Sequence, residues 1–230
     1  MKLVLFDIDG TLLSSEGAGM RAMRAALTEL FGTTGDPAYR YDGKTDRQIV
    51  RDLMRGHGHD DDYINERMGA LLDLYLQGLA REVASGERVP RTLPGIPELL
   101  DELESRDQIT LGLLTGNIEP GAKVKLAAAG VDMSRFRVNA FGSDHERRPE
   151  LPGFAQRRAA EFLGRELAGD AIYVIGDTPA DIRCGEAIGA RAIGVATGHY
   201  SVEELRQHDP FAVFANLADT GAVARAILDA

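Results

Sequence analysis

The sequence predicts an α/β protein: a doubly wound, Rossmann-like parallel sheet with an all-helical block inserted after its first strand. Three observations carry this. Short apolar runs at 3–6, 109–114, 138–141, 171–175 and 192–195 have the length of strands buried on both faces. Apolar residues at helical spacing fill the intervals between most of them, the rhythm of a parallel sheet with crossover helices. Residues 15–88 break that rhythm, reading as consecutive helices with no strand among them.

The elements follow in order. Leu3 to Phe6 forms the first strand and stops at Asp7-Ile8-Asp9, followed by a Gly10-Thr11 turn. Met20, Met23, Leu27 and Leu30 mark a helix that Gly32 stops, and a polar loop runs from Thr33 to Lys44. Thr45 or Asp46 caps a second helix carrying Ile49, Val50, Leu53 and Met54. After a break at 56–62, a third helix sets Met68, Leu71, Leu72, Tyr75, Leu76, Leu79 and Val83 on one face. These stripes read as the core of a small second domain, 15–88, carried on a main domain of 1–14 and 89–230.

From Val89 strands and helices alternate. Pro94, Gly95 and Pro97 open a helix with Leu99, Leu100 and Leu103, and the strand Ile109 to Leu114 ends in Thr115-Gly116-Asn117. A helix from Gly121 ends at Gly130, Val138 to Phe141 is a short strand, and a polar loop runs from Gly142 to Glu150. Phe154, Ala155, Ala159, Phe162, Leu163 and Leu167 mark the next helix. The strand Ala171 to Ile175 ends in Gly176-Asp177-Thr178-Pro179-Ala180-Asp181, and Ala192 to Val195 ends in Ala196-Thr197-Gly198. Ser201 with Glu204 forms a capping box, and Phe211 to Phe214 is a last strand before a terminal helix.

Composition narrows the function. The 230 residues are 44% apolar, enough for a sizeable core. Lys and Arg number 26 against 36 Asp and Glu, a net charge of −10 that argues against nucleic-acid or anionic-membrane partners. A small anionic substrate stays open, because a local pocket can still be positive. Cys184 is the lone cysteine, so no internal disulfide forms, in keeping with a reducing compartment. The few residues before Asp7 are too short for a signal peptide, and no apolar stretch is long enough to span a bilayer. A cytoplasmic monomer or homodimer is expected.

In an open parallel sheet the ligand lies beyond the carboxyl ends of the strands. Asp7/Asp9, Thr115/Asn117 and Asp177/Asp181 all stand at such ends and can converge. Carboxylates that close repel unless a cation or a shared proton intervenes, and Mg²⁺ is the simplest answer. Such a set suits phosphoryl chemistry: one carboxylate attacks phosphorus, a second manages protons, a third helps hold the metal. A hydroxyl and backbone N–H groups receive the phosphate oxygens. Carboxylates alone repel a phosphate, so a fixed cation is also needed; Arg147 and Arg148, after Phe141, stand at a comparable strand end. Asp181 also reads as the third residue of a helix capped by Thr178.

Together these motifs resemble the haloacid dehalogenase superfamily, specifically its phosphatases similar to phosphoglycolate phosphatase. Asp7-Ile8-Asp9-Gly10-Thr11 matches the first motif, Leu113-Leu114-Thr115-Gly116-Asn117 the second and Gly176 to Asp181 the fourth. The helical insert matches the family's cap. The resemblance implies Asp7 as nucleophile, forming an aspartyl-phosphate, and Asp9 as general acid and then base. It implies a Mg²⁺ site at Asp7, the backbone oxygen of Asp9 and Asp177, with Asp181 in support. It implies phosphoryl contacts from Thr115, Gly116, Asn117, Gly10 and Thr11. Lys44, in the cap segment Gly43-Lys44-Thr45-Asp46, would meet a second anionic group of the substrate. The third motif departs: where the family has lysine, Arg148 precedes Pro149, with Lys123 and Lys125 as alternative cations. On an extended loop Arg147 would point away from Arg148, and Arg148→Ala would leave stability little changed. The expected activity is Mg²⁺-dependent hydrolysis of a small phosphorylated metabolite. The alternatives are a sugar-phosphate mutase, a receiver-type phospho-acceptor, or a silent phosphate-binding protein.

Overall fold

The structure is a computed structural model that describes residues 1–86 and 89–229. The expected end of the helical block, at Glu87 and Arg88, lies outside the described residues, as does Ala230. Strand β1 (Lys2–Phe6) leads through a turn to β2 (Leu13–Ser14). Helices α1 (Ala18–Phe31), α2 (Asp46–Gly56) and α3 (Asp61–Ala84) follow, and β3 (Arg91–Thr92) brings the chain back. Then come α4 (Ile96–Glu104), β4 (Ile109–Thr115), α5 (Glu119–Ala128), β5 (Val138–Phe141) and α6 (Leu151–Leu163). The chain closes with β6 (Ile172–Gly176), α7 (Pro179–Cys184), β7 (Arg191–Val195), α8 (Val202–Arg206), β8 (Ala212–Phe214) and α9 (Thr220–Leu228).

Six strands form one parallel sheet in the order β5-β4-β1-β6-β7-β8. The period-two alternation of β1 divides the core between two faces. Val4 and Phe6 pack with Leu99 and Leu103 of α4, Leu126 of α5 and Ile227 of α9. Leu3 and Leu5 pack with Leu151 and Ala155 of α6 and with Cys184 of α7. Burial on both faces is why these strands read as unbroken apolar runs.

The helical block has a separate cluster: Met23 and Leu27 from α1, Ile49 and Leu53 from α2, and Ile64, Leu71, Tyr75 and Leu79 from α3. Met20, expected in that stripe, is 40% exposed and lines a cavity instead. Thr45 is the N-cap of α2, accepting from the Gln48 N–H. The two chain crossings into and out of the block are tied by an antiparallel pair, Leu13 with Thr92 and Ser14 with Arg91. The sequence gives no sign of this pair, because two residues carry no readable period. No helix among the described residues is long and apolar enough to cross a membrane.

Candidate active site

β1 has β4 on one side and β6 on the other, so the crossovers diverge and leave a crevice at its carboxyl end. Asp7 is the first residue past β1 and is still held in the sheet, its N–H donating to the Ile175 carbonyl at 2.9 Å. Gly10 then turns the chain with φ 80°, and a Cβ there would stand 2.4 Å from Asp177 Oδ2. Only glycine serves both demands. Thr11 donates to Asp177 Oδ1 at 3.2 Å.

Two charged groups meet at this mouth. In the first, Asp7, Asp177 and Asp181 bring carboxylate oxygens within 4.8 Å of one another. Arg148 is 3% exposed, contacts Asp181, and reaches Asp7 Oδ1 at 3.3 Å. Asp181 Oδ2 accepts from the Thr178 N–H at 3.0 Å and its hydroxyl at 2.6 Å, so both its oxygens are engaged. Burial pushes the Asp7 carboxyl up to about 6, against the pull of Arg148. Burial, with Asp181 and Asp7 close by, pushes Asp177 up to about 9. One guanidinium therefore does not balance three buried carboxyls. Hard carboxylate oxygens short of positive charge suit Mg²⁺, which reverses such shifts when bound.

The second group surrounds Asp9. Lys125 Nζ donates to Asp9 Oδ2 and to Asn117 Oδ1, each at 2.6 Å. Asn117 Nδ2 donates to Asp9 Oδ2 and to the Thr115 hydroxyl, each at 2.8 Å. Burial alone would raise the Asp9 carboxyl; the Lys125 charge and the hydrogen bonds from Lys125, Asn117 and Ser15 outweigh it and hold it below its ordinary value. Lys125 reaches in because it shares the buried face of α5 with Ala122 and Leu126. Lys123 lies on the exposed face and pairs with Glu119 at 2.7 Å. Of the three cations the sequence leaves open, Arg148 thus sits on Asp7, Lys125 on Asp9, and Lys123 on neither. Lys125→Ala is expected to lower turnover roughly 10²-fold, as loss of a fixed charge at a reacting site does. Lys123→Ala should match wild type; steady-state assays of the two variants check this.

The start of α2, with its N-cap Thr45, seats on the second motif. The Asp46 N–H donates to the Gly116 carbonyl at 2.9 Å, and Asp46 Oδ2 accepts from the Ile118 N–H at 2.8 Å. Thr45 donates to the Glu146 carbonyl. Gly116 permits the approach: a Cβ there would lie 2.0 Å from the Lys44 carbonyl oxygen. Burial pushes Asp46 up to about 6, opposed by Lys125. The resemblance places the whole segment Gly43-Lys44-Thr45-Asp46 toward the substrate but singles out Lys44; for Thr45 and Asp46 themselves the local sequence shows only a helix N-cap.

Between block and sheet lies a cavity of about 950 Å³. Asp7, Asp9, Gly10, Lys44, Thr115, Gly116, Asn117, Arg148 and Asp177 line it. Thr11 stands just behind this lining, 1% exposed, with its hydroxyl on Asp177. Lys44 lines the cavity but lies 3.5 Å from Asp52 and stacks over the Tyr39 ring. Asp181 is buried behind the wall. Arg147 is exposed as expected, yet Arg148 begins a 3₁₀ turn, Arg148–Glu150, rather than continuing an extended loop.

The chain is similar to known proteins along nearly its whole length. A 5'-nucleotidase of Pseudomonas aeruginosa is 29% identical over 94% of this chain and 91% of its own. A phosphoglycolate phosphatase of Rhodospirillum rubrum is 29% identical over 96% of this chain and 89% of its own. A hydrolase from Pseudomonas syringae shares the fold, with TM-score 0.75 and 23% identity over 99% of both chains. The model of the haloacid dehalogenase-like hydrolase family matches residues 1–189. With that match over most of its length, this chain belongs to the haloacid dehalogenase-like hydrolases.

Proposed function

We propose that this hydrolase is a Mg²⁺-dependent phosphatase of small phosphomonoesters that works through an aspartyl-phosphate. The observation that carries the reading is the pairing of two carboxylates, one residue apart, with different cations: Asp7 with Arg148 and Asp9 with Lys125. Different environments for two neighbouring carboxyls give them different tasks. The names of the 5'-nucleotidase and phosphoglycolate phosphatase relatives support the same reaction class.

In this reading an Asp7 oxygen attacks phosphorus while Arg148 holds its carboxylate in line. Asp9 gives its proton to the leaving alkoxide. Lys125 holds Asp9 ionised in the free protein, and Asp9 takes that proton from solvent as the arriving phosphate dianion raises its proton affinity. Asp9 then takes a proton from water, which attacks the aspartyl-phosphate and frees phosphate and Asp7. Thr115, Gly116 and Asn117 orient the non-bridging oxygens. Asp7, the Asp9 carbonyl and Asp177 would hold Mg²⁺, and its charge would help neutralise the phosphoryl group. Residues 15–88 act as a cap over the main domain, 1–14 and 89–230, and exclude water while Thr45 and Asp46 are seated.

Turnover of p-nitrophenyl phosphate with and without Mg²⁺ tests the proposal. Activity should vanish on exhaustive chelation and fall with excess Ca²⁺, whose looser coordination misplaces Asp7. Full activity after chelation would remove the metal from the reaction. Stability gives a second readout. A carboxyl raised from 3.8 to about 9 in the fold, as Asp177 is, contributes stability below pH 4 that is lost as pH rises through 9. Bound Mg²⁺ removes that loss. Melting temperature should therefore rise more with Mg²⁺ at pH 8.5 than at pH 5.5, and an equal rise at both would contradict the assigned site.

A further inference from the structure

The helical side of the cavity carries a group that hydrolysis of a phosphomonoester does not use. Its lining includes Arg24, Tyr39, Arg40, Tyr41 and Lys44. Two of these cations are already paired: Arg40 with Asp42 at 2.9 Å and Lys44 with Asp52 at 3.5 Å. Arg24, half-buried on α1, differs. One of its N–H groups donates to the Pro37 carbonyl at 3.2 Å, and among the described residues no carboxylate pairs with it. A guanidinium carries five donors, so most of its fork remains available. Among the described residues the neighbouring Tyr41 hydroxyl, a buried atom, meets no partner in full hydrogen-bond geometry, and the group beside it is the Arg24 guanidinium. The Arg24 guanidinium faces this hydroxyl and draws its acidity back against burial, which pushes its pKa up. Buried polar groups are seldom left unpaired, and one that lines a cavity points to a ligand.

We propose that Arg24 and Tyr41 form a second anion subsite, selecting phosphomonoesters whose alcohol half carries a further oxyanion, a carboxylate or a second phosphate. The inference rests on the phosphatase reading and adds the substrate class. The planar fork of Arg24 matches two oxygens of one oxyanion, and the Tyr41 hydroxyl supplies a third donor. The size of the cavity agrees. About 950 Å³ is at the upper end of the roughly 300–1,000 Å³ typical of sites that enclose whole drug-sized ligands, more than a phosphoryl group needs. The subsite also displaces Lys44 from the role its sequence position suggests, since Asp52 and the Tyr39 ring already hold that ammonium.

The test compares matched substrates: 3-phosphoglycerate with glycerol 1-phosphate for the carboxylate, and glucose 1,6-bisphosphate with glucose 1-phosphate for the second phosphate. Wild type should favour the charged member of one pair, and which pair responds identifies the oxyanion. Arg24→Ala should cut that preference by about 10- to 100-fold, through KM rather than kcat, as expected for hydrogen bonds to a charged group. Tyr41→Phe should cut it less, Arg24→Lys should restore part of it, and Lys44→Ala should change it less than Arg24→Ala. No preference in either pair, preference instead for an uncharged ring as in uridine compared with glycerol monophosphates, or an equal loss on both members in Arg24→Ala would overturn the subsite. Absence of any p-nitrophenyl phosphate turnover would overturn the phosphatase reading itself, and the subsite with it.

Discussion

Asp7→Asn is expected to release no measurable phosphate, a loss of roughly 10⁴-fold or more, the scale seen when a nucleophile is removed. The amide keeps the shape of the carboxylate but cannot attack phosphorus. Its fold should survive, and the reason is in the burial. Asp7 is 6% exposed and its carboxyl is raised from 3.8 to about 6, so its ionised form is disfavoured inside the fold. The stability it contributes is present below pH 4 and lost as pH rises through 6. A neutral side chain removes that loss. Asp7→Asn without metal should therefore melt at or slightly above wild type at pH 8. Near-normal turnover would sink the nucleophile assignment, and a collapsed melting curve would sink this account of the charge.

Arg148→Ala is expected to lower turnover by roughly 10²- to 10³-fold, because a fixed charge beside the reacting group is lost. The structure also revises its effect on stability. The sequence alone suggests a loop arginine whose removal the fold ignores. In the structure Arg148 is buried between Asp7 and Asp181, so truncation strands two carboxylates without their cation. Breaking a buried pair costs about 3–5 kcal/mol, reduced where a stranded carboxyl can take up a proton. The fall in melting temperature should accordingly be larger at pH 8 than at pH 5. Arg148→Lys should recover part of both losses, since it restores the charge but not the fork. Arg147→Ala, on the exposed neighbour, should behave as wild type in both assays. If Arg148→Ala is near wild type and Lys125→Ala is dead, the cation that matters comes from α5.

What the sequence reveals, and what it hides, follows from how far each signal travels along the chain. The β1, β4, β6 and β7 runs are legible because burial on both faces keeps them almost wholly apolar, with Thr110 of β4 the buried polar exception. The clusters at their ends are legible because the sheet fixes where a strand end must lie. Asp181 is visible twice, as a strand-end carboxylate and as the third residue of a capped helix, and the structure uses it both ways. Lys125 is harder to assign. A lysine on a helix is ordinarily solvated, and its partner Asp9 is far away in sequence. The one local clue is that it shares a face with Ala122 and Leu126. Asp46 is hidden more completely, since an acidic residue after an N-cap is usual at any helix start. Its burial depends on Gly116 and Ile118, some seventy residues further along the chain, which only the folded structure brings near. Met20 fails in the opposite direction: its spacing fits the apolar stripe, but the cavity removes the neighbours it would have packed on.

The central claim is a covalent phosphate on Asp7. Rapid acid quench of the enzyme during turnover of p-nitrophenyl phosphate, followed by peptide mass mapping, tests it most directly. Wild type, or Asp9→Asn in which the second half-reaction is slowed, should yield an acid-stable, hydroxylamine-labile phosphate on the peptide containing Asp7, and Asp7→Asn should yield none. A phosphate that maps to another residue, or turnover with no trapped phospho-enzyme in both wild type and Asp9→Asn, would contradict the account.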